Sequence, residues 1–221
     1  MAKQDRSVRT RRKLLEAAAA IFERRGYEAT TVSEIATTAG TTKGAVYFHF
    51  NGKEEIAQII LGEQQQDGEP ALTPQPVKLQ EIADSAMVLA ERLRTSPLVR
   101  ASIRLSLDPQ AEDLDRGGAF RIWSDFNLAI LQEARRRGEL RPHVDLAATA
   151  ELFVGTFAGL QQMSQLVAGY ADLPERLSVF LRGIMPSIAE PVVLGALDLS
   201  AQRGKHLIAT AEQGSDPEPR T

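Results

Sequence analysis

Residues 30–50 read TTVSEIATTAGTTKGAVYFHF, and this stretch decides how the N-terminal part of the chain folds. Its first half places apolar side chains at the spacing of one helical face, namely Val32, Ile35, Ala36 and Ala39. Thr31 and Glu34 have the spacing of a capping box, which marks a helix start. Gly40 suits the turn that follows because glycine readily adopts positive φ. A second helix is predicted from residue 41 or 42 to residue 49, which completes a helix-turn-helix pattern.

The second predicted helix has two chemically different faces. Val46 and Phe50 can anchor it to a core. The opposite face combines a hydroxyl, an ammonium group, bare backbone and a phenol, in Thr42, Lys43, Gly44 and Tyr47. A helix N-terminus attracts phosphate through its free N–H groups and its dipole. A glycine inside a helix costs about 1 kcal/mol of stability relative to alanine, and a close approach of the backbone to a partner would explain its presence. Taken alone, the pattern also fits a solvated face in an ordinary helical bundle.

Residues 14–55 resemble the DNA-binding domain of the TetR family of bacterial transcriptional regulators. The resemblance is carried by Ala17, Ile21, Phe22, Gly26 and Tyr27, followed by TTVSEIA and AGTTKGAVYFHFNGKEEI. It implies a protein that binds a double-stranded DNA operator. The residues expected to contact DNA are Arg6, Arg9, Thr31, Thr42, Lys43, Gly44, Tyr47, His49 and Lys53. Arg6 and Arg9 are expected at phosphates, where they would position the domain without reading sequence.

The distribution of charge supports a DNA-binding end better than the net charge of −3 does. Residues 1–55 contain ten basic and seven acidic side chains, so the rest of the chain has six more acidic than basic ones. A basic end on an acidic body gives a localised electrostatic footprint for nucleic acid. A basic terminus without the helix-turn-helix motif would be explained equally well as a solvated tail.

Composition excludes several classes of protein. The chain has no cysteine, so disulfides and thiolate metal sites are excluded. It shows neither an apolar signal segment at its start nor a run of about 18 apolar residues, so a cytoplasmic, soluble protein without membrane association is expected. Aromatic residues make up 5% and hydrophobic residues 43% of the chain, which favours an all-α protein with a substantial core.

Helical periodicity continues along the rest of the chain. Helices are predicted at residues 7–25, from 53 onwards, and at 79–94, 96–107, 119–137, 145–169, 173–188 and 191–211, with loops at 66–78 and 108–118. The predicted architecture is all-α. A three-helix DNA-binding domain at 1–52 precedes a helical ligand-binding and dimerisation domain at 53–211, and 212–221 is expected to be a disordered tail.

Four segments of the body resemble the γ-butyrolactone receptors of actinomycetes, a subgroup of the TetR family. They are SPLVRASIRL, AFRIWSDF, GELRPHVDLAATAELFVGTFAGLQ and LPERLSVFLRGIMPSI. This resemblance implies a repressor that leaves DNA when it binds a small lipophilic lactone-type autoregulator. It also implies a homodimer formed through residues 145–169 and 173–188, which would read a near-palindromic operator. A TetR relative that senses an antibiotic or other xenobiotic is the alternative.

The residues expected to contact that ligand are Gln64, Trp123, Phe126, Thr156, Phe157, Ala158 and Gln161. Trp123 could form a flat wall against a lactone ring, although it could equally be an ordinary core tryptophan. Gln64 could donate a hydrogen bond to a ring carbonyl, or it could be a surface glutamine in a QQQ run. Gly155 and Gly159 allow close approach of another subunit, a ligand or a neighbouring side chain.

The sequence gives little support to an enzyme. His49, His143 and His206 lie too far apart for zinc-type ligand spacing, and no phosphate-binding glycine loop or serine nucleophile motif occurs. No catalytic residue, cofactor or metal site is therefore predicted. An architectural DNA-binding protein without a ligand is the remaining competitor.

Overall fold

The computed structural model describes residues 2–66 and 74–214, with the side chains of residues 2–5, 63–66, 212 and 214 outside that description. Within this part the fold is all-α, as predicted, with one isolated bridge between Leu140 and Ala189. The helices are α1 (Ala2–Arg25), α2 (Val32–Thr38), α3 (Lys43–His49), α4 (Lys53–Gln66), α5 (Leu79–Thr95), α6 (Pro97–Leu107), α7 (Gly118–Arg136), α8 (Leu146–Ala168), α9 (Leu173–Ile188), α10 (Pro191–Leu194) and α11 (Arg203–Gly214). No helix in the described ranges is long and apolar enough to cross a membrane.

The chain divides into two compact units. The first contains the described residues of Met1–Gly68 together with Thr95–Ala119, and the second contains those of Glu69–Arg94 and Phe120–Thr221. The first unit therefore includes α6 as well as α1 to α4. This division describes packing contacts, whereas the boundary predicted at residue 52 separates two functional domains. The functional boundary stays a prediction.

The core of the first unit draws apolar side chains from all of its helices. Its fully buried members include Leu14, Phe22, Ile35, Val46, Ile56, Ile60 and Leu105. Burying one such side chain contributes roughly 1.5–3 kcal/mol, so these contacts hold the short α2 and α3 against the longer helices. Helices of seven residues would be marginal without them.

Local capping signals predicted from the sequence are confirmed. The Thr31 hydroxyl accepts a hydrogen bond from the Glu34 backbone N–H at 3.2 Å, and a Glu34 carboxylate oxygen accepts from the Thr31 N–H at 3.0 Å. Gly40 adopts φ of 65°, which places α3 after a tight turn. Asp145 caps α8 by accepting the Ala148 N–H at 3.1 Å. These contacts span at most four residues, so the sequence alone indicated them.

The second unit is organised by polar contacts to α5. Glu139 accepts the backbone N–H groups of Lys78 and Leu79 at 2.8 and 3.0 Å, which satisfies donors at the start of α5. At Gly204 an added Cβ would lie 2.2 Å from the Met87 carbonyl oxygen, so α11 approaches the backbone of α5 more closely than any other residue type allows.

Two predicted helix boundaries were wrong. The first helix begins at Ala2 rather than residue 7, because the preceding residues contain neither glycine nor proline to stop it. The single helix predicted at 191–211 is two helices, α10 and α11, separated by an irregular segment. The Gln80 side chain accepts the Asp198 N–H at 2.8 Å and donates to the Asp198 carbonyl at 2.9 Å. These contacts satisfy backbone groups that a continuous helix would bond internally.

Two further predictions, for a loop and for the C-terminal tail, fall mainly on residues outside the described part. The predicted loop at 66–78 begins with Gln66, which ends α4, while residues 67–73 lie outside the described part. The predicted tail at 212–221 begins within α11, and residues 215–221 lie outside the described part.

Candidate functional site

The face of α3 that the sequence predicts to read DNA is exposed in the structure. Thr42 is the N-cap of α3, and its hydroxyl accepts the Ala45 N–H at 3.2 Å. Lys43, Gly44 and Tyr47 are exposed along the same helix. Val46 is buried on the opposite side. The first unit thus anchors α3 by its apolar side and leaves the ammonium of Lys43 and the phenol of Tyr47 exposed, where they can meet a partner.

Phe48 is a candidate that sequence reasoning missed. The residue is 79% exposed although phenylalanine is usually buried. It contacts the half-buried His49 edge-to-face, with ring centroids 5.0 Å apart at 86°. Phe48 lies four residues after Gly44, so helical spacing on the exposed face was the signal that could have identified it.

Thr31, at the start of α2, is exposed but already engaged. Its hydroxyl accepts from the Glu34 N–H and donates to a Glu34 carboxylate oxygen at 3.0 Å. Arg25 also donates to Glu34, at 2.8 Å. Hydrogen bonds from the side chain and backbone of Thr31 lower the pKa of Glu34, and the charge of Arg25 adds to the effect. These hydrogen bonds fix the start of α2 and hold the guanidinium of Arg25 beside it.

Among the predicted DNA contacts, Lys53 is engaged by other groups of the protein itself. Its ammonium donates to the Tyr27 carbonyl at 3.0 Å and lies 4.0 Å from the centroid of the Tyr27 ring. Lys53 therefore ties the start of α4 to the residue that follows α1. Its contact with DNA stays a prediction.

The arginines predicted at phosphates lie on α1. Arg6 and Arg9 are both exposed. Arg11, on the same helix, places its guanidinium 5.2 Å from the centroid of the Phe50 ring, which directly follows α3. Cationic side chains of α1 thus lie both at its surface and against the end of the predicted reading helix.

The second unit contains the ligand candidates of α7. Trp123 and Phe126 meet edge-to-face with ring centroids 5.5 Å apart, and both are half-buried. The indole Nε1 of Trp123 is buried and has no hydrogen-bond partner within the described residues. A buried donor without a partner costs free energy, so this N–H requires an explanation such as a bound molecule or ordered water.

The other ligand candidates lie mainly on α8. Thr156, Phe157 and Ala158 are half-buried. Gln161 is only 2% exposed, and its Oε1 finds no partner in the part of the chain that is described. The side chain of Gln64, on α4, lies outside the described residues. The second unit therefore holds one unpaired donor and one unpaired acceptor among the residues that the sequence singled out.

Apolar side chains are exposed along α8 and α9. On α8, Leu166 is 80% and Val167 is 70% exposed. Further exposed members are Leu152 and Met163 on α8 and Val179 on α9. Gly155 and Gly159 have open space at the position of a Cβ, so their backbone is accessible as well. An apolar surface of this kind is typical of a protein–protein interface.

A metal site finds no support, since the described residues contain no group of three or more histidine, aspartate or glutamate side chains that could hold an ion.

Residues 14–59 match the model of the bacterial regulatory proteins of the tetR family. The chain is 38% identical to the A-factor receptor protein of Streptomyces griseus over 216 residues, which span 91% of this chain and 74% of that protein. Its structure resembles full-length native TylP, a TetR regulator from Streptomyces fradiae, with a TM-score of 0.84, 42% identity and coverage of 93% and 99% of the two chains. It also resembles a gamma-butyrolactone receptor described as an ArpA-like protein, with a TM-score of 0.67, 27% identity and coverage of 95% and 99%.

These relatives are transcriptional regulators rather than enzymes. The matched residues 14–59 contain the two short helices and the exposed α3 face described above. Together, the motif, the fold and the relatives show that this chain belongs to the TetR family of DNA-binding transcriptional regulators.

Proposed function

We propose that this chain is a cytoplasmic, ligand-responsive repressor that binds a near-palindromic operator as a homodimer. In this proposal a small autoregulator of the γ-butyrolactone or butenolide type releases it from DNA. The observation that carries the ligand part is that two buried polar atoms, Trp123 Nε1 and Gln161 Oε1, have no hydrogen-bond partner among the described residues. The name of the Streptomyces griseus relative, a receptor, agrees with a ligand-binding role.

DNA contact is assigned to the exposed side of α3. Thr42, Lys43, Gly44 and Tyr47 would face the major groove, because a helix of this motif inserts there with its N-terminal residues at the base edges. The exposed ring of Phe48 adds an apolar group that can contact thymine methyls. Thr31 at the start of α2, His49 at the end of α3 and Lys53 at the start of α4 are assigned as further contacts. Arg6 and Arg9 would neutralise phosphates.

Dimerisation is assigned to α8 and α9. Leu166, Val167 and Val179 present apolar surface that a second copy of the chain would bury. In a two-fold dimer each chain supplies the same patch, so one set of exposed side chains serves both partners. Two first units would then reach half-sites about one helical turn of DNA apart, or a multiple of that distance.

The polar groups expected on the ligand are those that would pair with Trp123 Nε1 and Gln161 Oε1. An indole N–H needs an acceptor such as a lactone carbonyl, and an amide oxygen needs a donor such as a hydroxyl. Trp123 and Phe126 offer aromatic surface for the ring or chain of a lipophilic molecule. A small lactone with a hydroxyl and an alkyl chain supplies all three kinds of contact.

Release from DNA requires that the ligand bind one conformation better than another. We propose that the preferred conformation shifts α4, whose first residue, Lys53, is tied to Tyr27 in the DNA-binding unit. A coupling free energy of about 1–3 kcal/mol between the ligand and DNA would be typical.

The test is a gel-shift titration with the DNA upstream of the protein's own gene, at a fixed salt concentration because affinity depends strongly on salt. Synthetic γ-butyrolactones and butenolides are added at saturation, and the ring-opened hydroxy acid of each lactone serves as the matched control. The proposal expects a retarded complex that the lactone dissociates and the ring-opened control does not. A complex that persists at every lactone concentration contradicts the ligand assignment, and release by antibiotics instead would favour a xenobiotic sensor.

A further inference from the structure

We propose that Asp108 is a positioning residue for the DNA-reading helices, because it holds the turn that connects α1 to α2. This turn comprises residues 26–30 and is called the α1–α2 turn below. The inference rests on the proposed function, since its effect is measured as operator affinity. Asp108 lies outside the region that the sequence predicted to contact DNA, and it directly follows α6.

The carboxylate of Asp108 is buried, and both of its oxygens accept hydrogen bonds. Its Oδ2 accepts the backbone N–H of Tyr27 at 3.0 Å, across 81 residues of sequence. Its Oδ1 accepts the backbone N–H of Gln110 at 3.0 Å. The Asp108 carbonyl in turn accepts from Arg116 at 2.8 Å. The carboxylate is thereby fixed in orientation and linked to the backbone of α1's C-terminal end.

Gly26 shows how closely the two segments approach. It adopts φ of 78°, a region that other residues rarely occupy, and a Cβ added there would lie 2.7 Å from Asp108 Oδ2. Only a residue without a side chain leaves room for the carboxylate beside the Tyr27 N–H. The glycine that ends α1 therefore serves the contact with Asp108 as well as the turn.

Tyr27 is held on its other side by the start of α4. Lys53 donates to the Tyr27 carbonyl at 3.0 Å, and the same carbonyl accepts the Thr30 N–H at 3.2 Å. Thr30 also donates its hydroxyl to the Gly26 carbonyl at 2.8 Å. The backbone of Tyr27 thus joins the end of α6 to the start of α4, and α2 begins only five residues further on.

The turn that Asp108 holds leads directly into the DNA-reading helices, because α2 begins at Val32 and α3 at Lys43. Loss of the Asp108 contact would release the Tyr27 N–H and alter the direction in which α2 and α3 leave the α1–α2 turn.

The variants are Asp108→Ala, which removes both acceptors, and Asp108→Asn, which keeps the shape but only one acceptor oxygen. Glu23→Ala is the matched control, because Glu23 on α1 accepts from Arg100 on α6 at 2.7 Å and so joins the same two helices without touching the α1–α2 turn. Operator affinity is measured with the upstream DNA fragment, at a temperature where thermal denaturation shows each variant to be folded.

Asp108→Ala is expected to weaken operator binding by at least about tenfold, the size expected for losing a hydrogen bond to a charged group. Asp108→Asn should lie between Asp108→Ala and wild type, and Glu23→Ala should stay within about threefold, as for a partly exposed ion pair. The dependence of affinity on salt should not change in any of them, because none removes a phosphate contact.

Hydrogen exchange of the wild-type protein gives a readout that needs no variant. The amide of Tyr27 should exchange as slowly as the amides inside α1, since its hydrogen bond is buried. Fast exchange at Tyr27, or equal losses of affinity in Asp108→Ala and Glu23→Ala, would overturn the proposal. If wild type itself binds no DNA, the proposed function fails first. If wild type binds and folded Asp108→Ala binds equally well, only the positioning role fails.

Discussion

The guanidinium of Arg203 donates two hydrogen bonds to the carboxylate of Asp84, at 2.8 Å from Nε to Oδ1 and 2.9 Å from Nη2 to Oδ2. Asp84 is completely buried on α5, and Arg203 is the first residue of α11. The paired geometry raises the pKa of Arg203 through its hydrogen bonds to Asp84. This pair fixes α11 to the helix around which the second unit is organised.

Replacing Arg203 by alanine should therefore destabilise the second unit by about 3 kcal/mol, because it leaves the buried charge of Asp84 without its cationic partner and with only the hydrogen bond from Gln80. Urea denaturation followed by the fluorescence of Trp123, at fixed protein concentration, measures the change. Arg136→Ala is the control, since its pair with Glu133 is largely exposed and Glu133 keeps its hydrogen bond from Arg137, so the loss of stability should be clearly smaller. Equal effects of the two substitutions would contradict the importance of the buried pair.

Lys43→Ala tests the DNA-reading face. Lys43 is exposed in the first turn of α3, so its removal should leave the folded state intact. If the ammonium contacts only a phosphate, affinity should fall for every operator sequence, and the slope of log affinity against log salt should decrease by about one. Lys205→Ala, exposed on α11 in the other unit, is the charge-matched control and should bind like wild type. Unchanged affinity and slope in Lys43→Ala would show that the assigned face is wrong.

Leu166→Glu tests the proposed dimer surface. A charge in the centre of a buried apolar interface would be desolvated without a partner, so the variant should be monomeric at micromolar concentration while remaining helical. Light scattering coupled to size-exclusion chromatography measures the mass. Val192→Glu is the control because Val192, on α10, is 86% exposed but lies outside α8 and α9. A dimeric Leu166→Glu protein would move the interface elsewhere.

Trp123→Phe separates the indole N–H from the aromatic surface. The variant keeps an aromatic ring beside Phe126 but removes the unpaired donor, so stability without ligand should be unchanged or slightly higher. Operator binding without ligand should persist, while the lactone concentration needed for release should rise about tenfold. Ile122→Ala, an exposed neighbour on α7, should respond like wild type. Release of the Trp123→Phe variant at the wild-type concentration would remove Trp123 Nε1 from the ligand contacts.

Asp172 predicts a specific dependence of stability on pH. Hydrogen bonds from Arg176 and Ser164 lower its pKa from 3.8 to about 2. The unfolded chain takes up this proton at higher pH than the folded one, so the interaction stabilises the fold fully above pH about 4 and is lost as the pH falls towards about 2.

The difference in melting temperature between wild type and Asp172→Asn should therefore shrink between pH 4 and 2. Glu151→Gln, at an exposed carboxylate on α8, is the control and should show a smaller change. A constant difference for Asp172→Asn over this pH range would argue against the lowered pKa.

The sequence predicted the recognition motif well because its signals are local. The capping box of Thr31 and Glu34, the turn at Gly40 and the N-cap Asp145 each depend on residues within four positions of one another. The faces of α3 follow from helical spacing as well, so the burial of Val46 and the exposure of Lys43 agree with the expected pattern. Phe48 follows the same spacing, four residues after Gly44, but was not among the predicted DNA contacts.

Only the tertiary structure shows which hydrogen bonds join the helices to one another, because the bonded residues lie far apart in the sequence. The Asp108 carboxylate accepts the Tyr27 N–H across 81 residues of sequence. The Gln80 side chain donates to the Asp198 carbonyl across 118 residues, in the segment that separates α10 from α11. Helical periodicity reports which face of a helix is apolar, but not which distant polar group pairs with another. The sequence by itself determined the family, the all-α fold and the α3 face. Only the folded chain decided that Trp123 Nε1 and Gln161 Oε1 find no partner among the described residues and that the backbone of Tyr27 is held by both Asp108 and Lys53.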